Sequence, residues 1–328
     1  MLRFDPKTLK VPQVHQLLLG GVAPRPIGLV STISSDGLPN LAPFSFFNAF
    51  SANPPIVVFS PARRGRDATL KDTYNNLLEH GECVIQAVTY AMVEQVNVAS
   101  AEFPPSTDEF IKSGLTPIPS EIVKPFRVRE SPFQMECVLK QMIPLGDGGA
   151  SGNLAICEVV LFHVDESILI DGVIIPEKLD AVARMGGDFY TRASGKSIFS
   201  VGKPLNRPTI GFDGIPENIR KSQVLSGNDL GKLANVPALP EQDEIQEVMR
   251  LIDLKKSPSE NTTREEFYTL ELRHDYLAMS SVAHSLDIAY EEKNQLLQIA
   301  AKYALDAGKI LEAWCILLSN KQGTRDYV

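Results

Sequence analysis

Pro26-Ile-Gly-Leu-Val-Ser-Thr-Ile-Ser-Ser-Asp-Gly37 is followed at once by Leu38-Pro-Asn-Leu-Ala-Pro-Phe-Ser-Phe-Phe-Asn48. The first run alternates apolar with small polar residues and ends in Asp36-Gly37, the signature of a strand entering a tight hairpin turn. The second run has the composition of a strand but carries Pro39 and Pro43. Proline has no amide hydrogen to give a ladder, so this strand belongs at an edge or a bulge. Asn53-Pro54-Pro55 then makes a turn, and residues 55–60 form a third strand ended by Pro61. Three short strands joined by tight turns point to an antiparallel β fold.

Working outward, Asp67 is expected to cap a helix that runs to about Glu79 and stops at Gly81. Residues 82–89 read as a strand and 90–101 as a helix. The Pro- and Ser-rich stretch 102–132 reads as surface chain with a short helical turn at Glu109-Phe110. Two strands follow, 133–143 and 154–164, with the glycine-rich run Gly146 to Gly152 between them. That run joins two strands and has no lysine after it, so it is a hairpin loop rather than a nucleotide loop. Asp171-Gly172 turns between apolar pairs, and Asp180 to Met185 look helical. At least six strands with few long helices suit a closed barrel, which removes unpaired edges.

The pattern changes near residue 201. Residues 201–240 are rich in Gly, Pro and Asn and read as an arm or linker. Residues 241–328 form an extension with helical spacing of apolar positions, as in Ile245, Val248, Met249 and Ile252. Three helices are expected there, near 241–255, 262–290 and 293–320, with Trp314 as a packing residue.

Composition narrows the function. The chain has 328 residues, 44% of them hydrophobic, and a net charge of -8, with a pI of about 5.3. That charge argues against nucleic acid as the main partner. No apolar run reaches membrane-spanning length, and no basic-then-apolar leader opens the chain, so no membrane association and a cytoplasmic location are expected. Cys83, Cys137, Cys157 and Cys315 are far apart in sequence and form no CxxC, and the five histidines form no HExxH. No metal site is expected, and the thiols read as isolated and buried. The Glu-x-x-His spacing at Glu271 and His274 has no companion motif to make a di-iron site. His163 reads as a structural or rim residue.

Two clusters can carry chemistry. Ser60 to Thr73 holds Arg63, Arg64, Arg66 and Lys71 where a strand gives way to a helix. Fixed cations, hydroxyls and free helix-start amides make a phosphate site. Arg63 can grip two phosphate oxygens, Lys71 adds a point charge, and Thr69 and Thr73 add donors. The same run also reads as a solvated turn whose arginines pair with Asp67 and Asp72. In Asn40 to Asn48, the broken strand leaves backbone groups, with Ser45 and Asn48, to face a planar polar ring. The competing reading is a bulged strand with core phenylalanines.

Taken in order, these segments resemble the flavin-reductase-like family, the FMN-binding split barrels that include flavoredoxins and reductase components of two-component monooxygenases. The matching residues are Arg25-Pro26-Ile27, Ser31-Thr32, Asp36-Gly37, Asn40 to Ser45, Asn48, Asn53-Pro54-Pro55, Ser60, Arg63 and Lys71-Asp72-Thr73. The series continues through Asn97, Ser100, Asp108-Glu109-Phe110, Gly114-Leu115 and Glu136-Cys137. The resemblance covers about residues 15–200 and implies a mainly β fold, an FMN-binding split β-barrel with short helices in residues 1–200, followed by the C-terminal α-helical extension. It implies that Arg63 and Lys71 to Thr73 hold the FMN phosphate. It also implies that the flavin ring lies against Ala42, Pro43, Phe44 and Ser45, with Ser31, Thr32, Asn48 and Ser60 nearby. No catalytic side chain is expected, because FMN carries the redox chemistry. The implied activity is an NAD(P)H-dependent flavin reductase, with NADH or NADPH as transient co-substrate. The alternatives are a flavoredoxin-like carrier reduced by a protein partner and a non-enzymatic flavin-binding or scaffold module acting through its C-terminal helices. A homodimer is implied, with a monooxygenase or another redox protein as partner.

Overall fold

A computed structural model describes residues 1–104, 107–204, 207–255 and 262–320. The chain divides into two units, Met1–Ser200 and Val201–Val328.

The first unit is built on seven strands: β1 (Gly28–Ile33), β2 (Pro39–Phe44), β3 (Phe47–Ala52), β4 (Pro55–Phe59), β5 (Glu82–Ala87), β6 (Phe133–Pro144) and β7 (Asn153–Val164). They pair antiparallel in the order β2-β1-β5-β6-β7-β4-β3. The two edge strands, β2 and β3, are consecutive in the chain. The sheet curls into a barrel, because Phe44 at one edge packs 5.2 Å from Phe59 near the other, and both join Val30, Ile85 and Cys137 in one core. Asp36-Gly37 turns as expected, with Gly37 at φ 81° and its amide bonded to the Ser34 carbonyl.

Strand β1 is buried on both faces. Successive side chains point to opposite sides. Val30 enters the barrel core, while Leu29 packs outside it with helices α3 (Val93–Ala99) and α4 (Glu109–Ser113). Helix α2 (Asp72–His80) sends Leu77 into the barrel core and ends at Gly81, whose φ of 69° suits a left-handed cap. An amino-terminal helix, α1 (Val11–Gly21), has no buried residue and no counterpart in the sequence reading.

Three local expectations are corrected. Helix α2 begins at Asp72, not at Asp67. The Asp67 carboxylate instead accepts the amide of Thr69 at 3.0 Å and its hydroxyl at 2.6 Å, closing a turn before the helix. Residues 180–185 are not helical. Asp180, at φ 49°, ends a one-turn helix (Pro176–Leu179), and Val182–Arg184 pairs as a strand with both Arg25–Pro26 and Tyr190–Arg192. The thiols of the barrel are not isolated. Cys83 and Cys137 are register partners on β5 and β6, and Cys157 on β7 joins them in the same core. Distant sequence positions meet because the three strands are neighbours.

The second unit is helical. Residues 201–240 are not a bare linker. They contribute two helices, Glu217–Arg220 and Gly227–Ala234, and Ile219, Leu230 and Leu233 enter the unit's core. The expected helix 262–290 is two, Arg264–Glu271 and Tyr276–Ser285, separated at His274 with φ 56°. The expected helix 293–320 is also two, Tyr290–Asp306 and Ile310–Leu318, separated at Gly308 with φ 74°. Trp314 is buried in the core and donates its indole N–H to the Leu233 carbonyl at 3.2 Å. Among the described residues no helix is long and apolar enough to cross a membrane.

Candidate functional site

The edge strand β2 owes its character to its prolines. The Leu41 amide points away from β1, since it donates to the Glu109 carboxylate at 3.0 Å. Positions 39 and 43 share the parity of position 41. Both are prolines, so the outer side of this edge carries one donor, already used, and otherwise carbonyls.

A cleft of about 120 Å³ opens along that edge. It is lined by Asn40 to Pro43 of β2, by Arg64, by Lys71 to Thr73 at the start of α2, by the chain after α3 from Ala99 to Phe103, and by Glu109. A hydrogen-bond set fixes its floor. The Asn40 side-chain amide donates to the hydroxyls of Thr32 and Thr73, each at 3.0 Å, and the Asn76 amide reaches Thr32 at the same distance. All four groups are buried. Strand β1, strand β2 and helix α2 are therefore locked at the point where Lys71 begins the helix.

Lys71 is the unspent charge of this site. Its Nζ lies 5.6 Å from the Phe44 ring and makes no hydrogen bond or ion pair with the described residues. Burial lowers its pKa from the ordinary lysine value, and the neighbouring Arg64 charge lowers it further, partly offset by Glu102 and Asp72. A second set of free donors lies beside it. The amides of Asp72 and Thr73, in the first turn of α2, have no intrahelical acceptor. Arg64 is held in place by the carbonyl of Leu70 at 2.6 Å and lies 4.0 Å from Asp72. Burial raises the Glu109 carboxyl above the ordinary glutamate value, against the pull of the Leu41 amide.

Of the twelve site residues expected from sequence, Ala42, Pro43, Lys71, Asp72 and Thr73 come together here. Thr32 lies beneath them as a bonded support. Ser31 is buried on the far face of β1 and bonds the Phe126 carbonyl. Phe44 turns its side chain into the barrel core, so its ring is a packing group. Ser45 sits half-buried in the link between β2 and β3, and Asn48 is exposed and accepts the amide of Ala49 at 2.8 Å. Ser60 accepts the Asn153 amide at 3.1 Å, tying β4 to β7. Arg63 does not line the cleft. One of its Nη atoms donates to the Ala68 carbonyl at 3.0 Å, and its buried Nε has no partner among the described residues.

Arg64 was counted among the loop's cations but not singled out, and Glu102 and the structural role of Asn40 were not anticipated. Arg63 and Arg64 are adjacent in a loop without periodicity, so which of them faces the cleft depends on how the loop is held. The glycine-rich β6–β7 loop does part of this: the Ser151 carbonyl accepts the Arg63 amide at 2.9 Å. Gly149 packs so near that a Cβ there would lie 2.7 Å from the Gly65 carbonyl oxygen.

Comparison with known proteins agrees with this architecture. Residues 20–173 match the Flavin reductase like domain. An uncharacterized protein of Aquifex aeolicus is 40% identical over 201 residues, which is all of that protein and 61% of this chain. Among solved structures, nitrilotriacetate monooxygenase component B from Bacillus cereus is 34% identical with a TM-score of 0.58, over 61% of this chain and 98% of its own. The 2-nitrobenzoate 2-nitroreductase NbaA of Pseudomonas fluorescens is 26% identical with a TM-score of 0.55, over 64% of this chain and 100% of its own.

Proposed function

This chain belongs to the flavin reductase-like family, and from that premise we propose that its barrel binds FMN at the β2–α2 cleft and is reduced there by NADH or NADPH. A flavin-related oxidoreductase is what the family and the structural neighbours support. The observation that carries the choice of FMN is Lys71, a half-buried ammonium with no anionic partner, beside the open first turn of α2. A phosphate monoester supplies that partner. Lys71, Arg64 and the Asp72 and Thr73 amides are the groups to hold it. When bound, FMN supplies a two-electron acceptor and donor. The protein's own part is to position and desolvate. The outward carbonyls at Leu41 and Pro43 would accept from donors on a ring edge, and Asn40 keeps β2 and α2 in register.

The cleft is too small for a whole flavin, since small-molecule sites run to roughly 300 Å³ and above. We propose that a second copy of the chain completes it. Helix α1 exposes Val11, Leu17 and Leu18, the β2–β3 corner exposes Phe46, and β3 exposes Phe50. His15 of α1 and Phe46 stack edge-on at 6.4 Å, so α1 and the β2–β3 corner meet there.

The deciding experiment is an anaerobic visible spectrum of FMN-loaded protein during addition of NADH and then NADPH. Bleaching of the flavin band supports the reductase and identifies the preferred nucleotide. A band that persists with both overturns nicotinamide-dependent reduction and leaves a carrier reduced by a protein donor.

A further inference from the structure

A cavity larger than the β2–α2 cleft lies elsewhere in the first unit. It is a cleft of about 370 Å³ between α3 and the paired strands Val182–Arg184 and Tyr190–Arg192. Two arginine–tyrosine stacks shape it. The Arg192 guanidinium lies 3.9 Å from the centroid of the Tyr90 ring and is pinned by Asp180 through bonds of 2.6 and 2.8 Å. The Arg184 guanidinium lies 4.7 Å from the Tyr190 centroid.

The two ends of the cleft differ chemically. Arg184 spends one N–H on the Gly187 carbonyl at 2.9 Å and has no carboxylate partner among the described residues. Its register partner across the strand pair is Arg25, a buried arginine whose Nη atoms bond only carbonyls, those of Leu19, Val22 and Met185. Two cations thus face each other, with no carboxylate bonded to either among the described residues. Burial, with the charge of Arg184 added, lowers the Arg25 pKa from its ordinary value. Towards α3 the lining is instead Glu94 and Asn97, which accept from amino groups, while Asp188 is an exposed carboxylate on the hairpin.

We propose that this cleft binds the adenosine 5′-phosphate half of the nicotinamide dinucleotide. The assignment rests on the reading of the chain as an NAD(P)H-dependent flavin reductase. A purine is a flat π surface that stacks on tyrosine and guanidinium planes. Its exocyclic amine matches Glu94 and Asn97, and its 5′-phosphate matches Arg184. Helix α3 links the two clefts. Glu94 and Asn97 line this one, and Ala99 and Ser100 line the other. Six residues of helix advance roughly 9 Å, a separation that the two halves of a dinucleotide can span.

The test uses FMN-loaded protein, two reductants and one probe. NADH carries the adenosine half, and reduced nicotinamide mononucleotide lacks it. The expected results are that 5′-AMP competes with NADH, that its calorimetric affinity falls about tenfold in Arg184→Gln, and that Arg184→Lys recovers part of it. The ratio of kcat/KM for NADH to that for the mononucleotide also falls about tenfold in Arg184→Gln. Tyr190→Leu serves in its place if that variant does not fold. Absence of 5′-AMP binding, or a ratio equal to that of the unsubstituted protein, overturns the proposal. If neither reductant bleaches the flavin, the reductase reading fails by itself. Binding of 5′-AMP to the unsubstituted protein, and its loss in Arg184→Gln, then still decides the cleft.

Discussion

Asn40 and Thr73 lie 33 positions apart and are joined by a 3.0 Å hydrogen bond from the asparagine amide to the threonine hydroxyl. The same amide reaches Thr32. Because all three are buried, the bond sets the distance between an edge strand and a helix start with little freedom. Replacing Asn40 by Ala removes both donations and is expected to destabilise the first unit by about 1–3 kcal/mol. Urea unfolding followed by a first-unit probe checks this, and an unshifted midpoint would show that water replaces the amide without loss.

Lys71→Gln is expected to weaken FMN binding about tenfold while leaving riboflavin affinity unaltered, because riboflavin has no phosphate. Flavin fluorescence quenching measures both. The pH dependence has a definite sign. An anion favours the charged ammonium, and burial lowers the Lys71 pKa from its ordinary value. FMN affinity therefore falls as pH rises through that lowered pKa, and the fall is absent in the variant.

Glu136 has a buried carboxylate that accepts the amides of Glu121 at 2.8 Å, Ile122 at 2.7 Å and Val123 at 3.0 Å, and bonds His163 Nε2 at 2.7 Å. Burial alone raises its pKa, but the Glu121 amide, His163 and the other two amides more than offset this and hold it below the ordinary value. The stabilisation is present above the unfolded carboxylate pKa and is lost as pH falls through the lowered folded value. Glu136→Gln is expected to cost about 2–4 kcal/mol and to flatten that acid limb, read from thermal melts across an acid pH series. An acid limb with the same slope in the variant would refute this.

The barrel thiols should be silent to a thiol reagent in the native state. Cys83, Cys137 and Cys157 have no exposed surface, and hydrogen bonds from Cys137 and Cys157, with burial added, push the Cys83 thiol well above its ordinary value. Burial and nearby carboxylates raise Cys315 to about 11. Ellman's reagent is expected to colour only on addition of denaturant. Rapid labelling without denaturant would contradict the burial of these thiols.

What could be read from sequence alone was local or ordered along the chain. Asp36-Gly37, Gly81 and Asp171-Gly172 declare their turns, since few residues accept positive φ, and Pro39 and Pro43 declare an edge, since proline cannot feed a ladder. The family resemblance singled out Lys71 to Thr73, which line the β2–α2 cleft. The remainder needed contacts between distant segments. Arg64 faces the cleft and Arg63 does not, because the β6–β7 loop takes hold of Arg63's backbone. Asp67 spends its carboxylate on Thr69 and so does not cap α2. Residues 182–184 become a strand because Arg25–Pro26 and Tyr190–Arg192 offer them ladders. Local propensity amounts to a few tenths of a kcal/mol per residue, so a partner supplied by the fold overrides it.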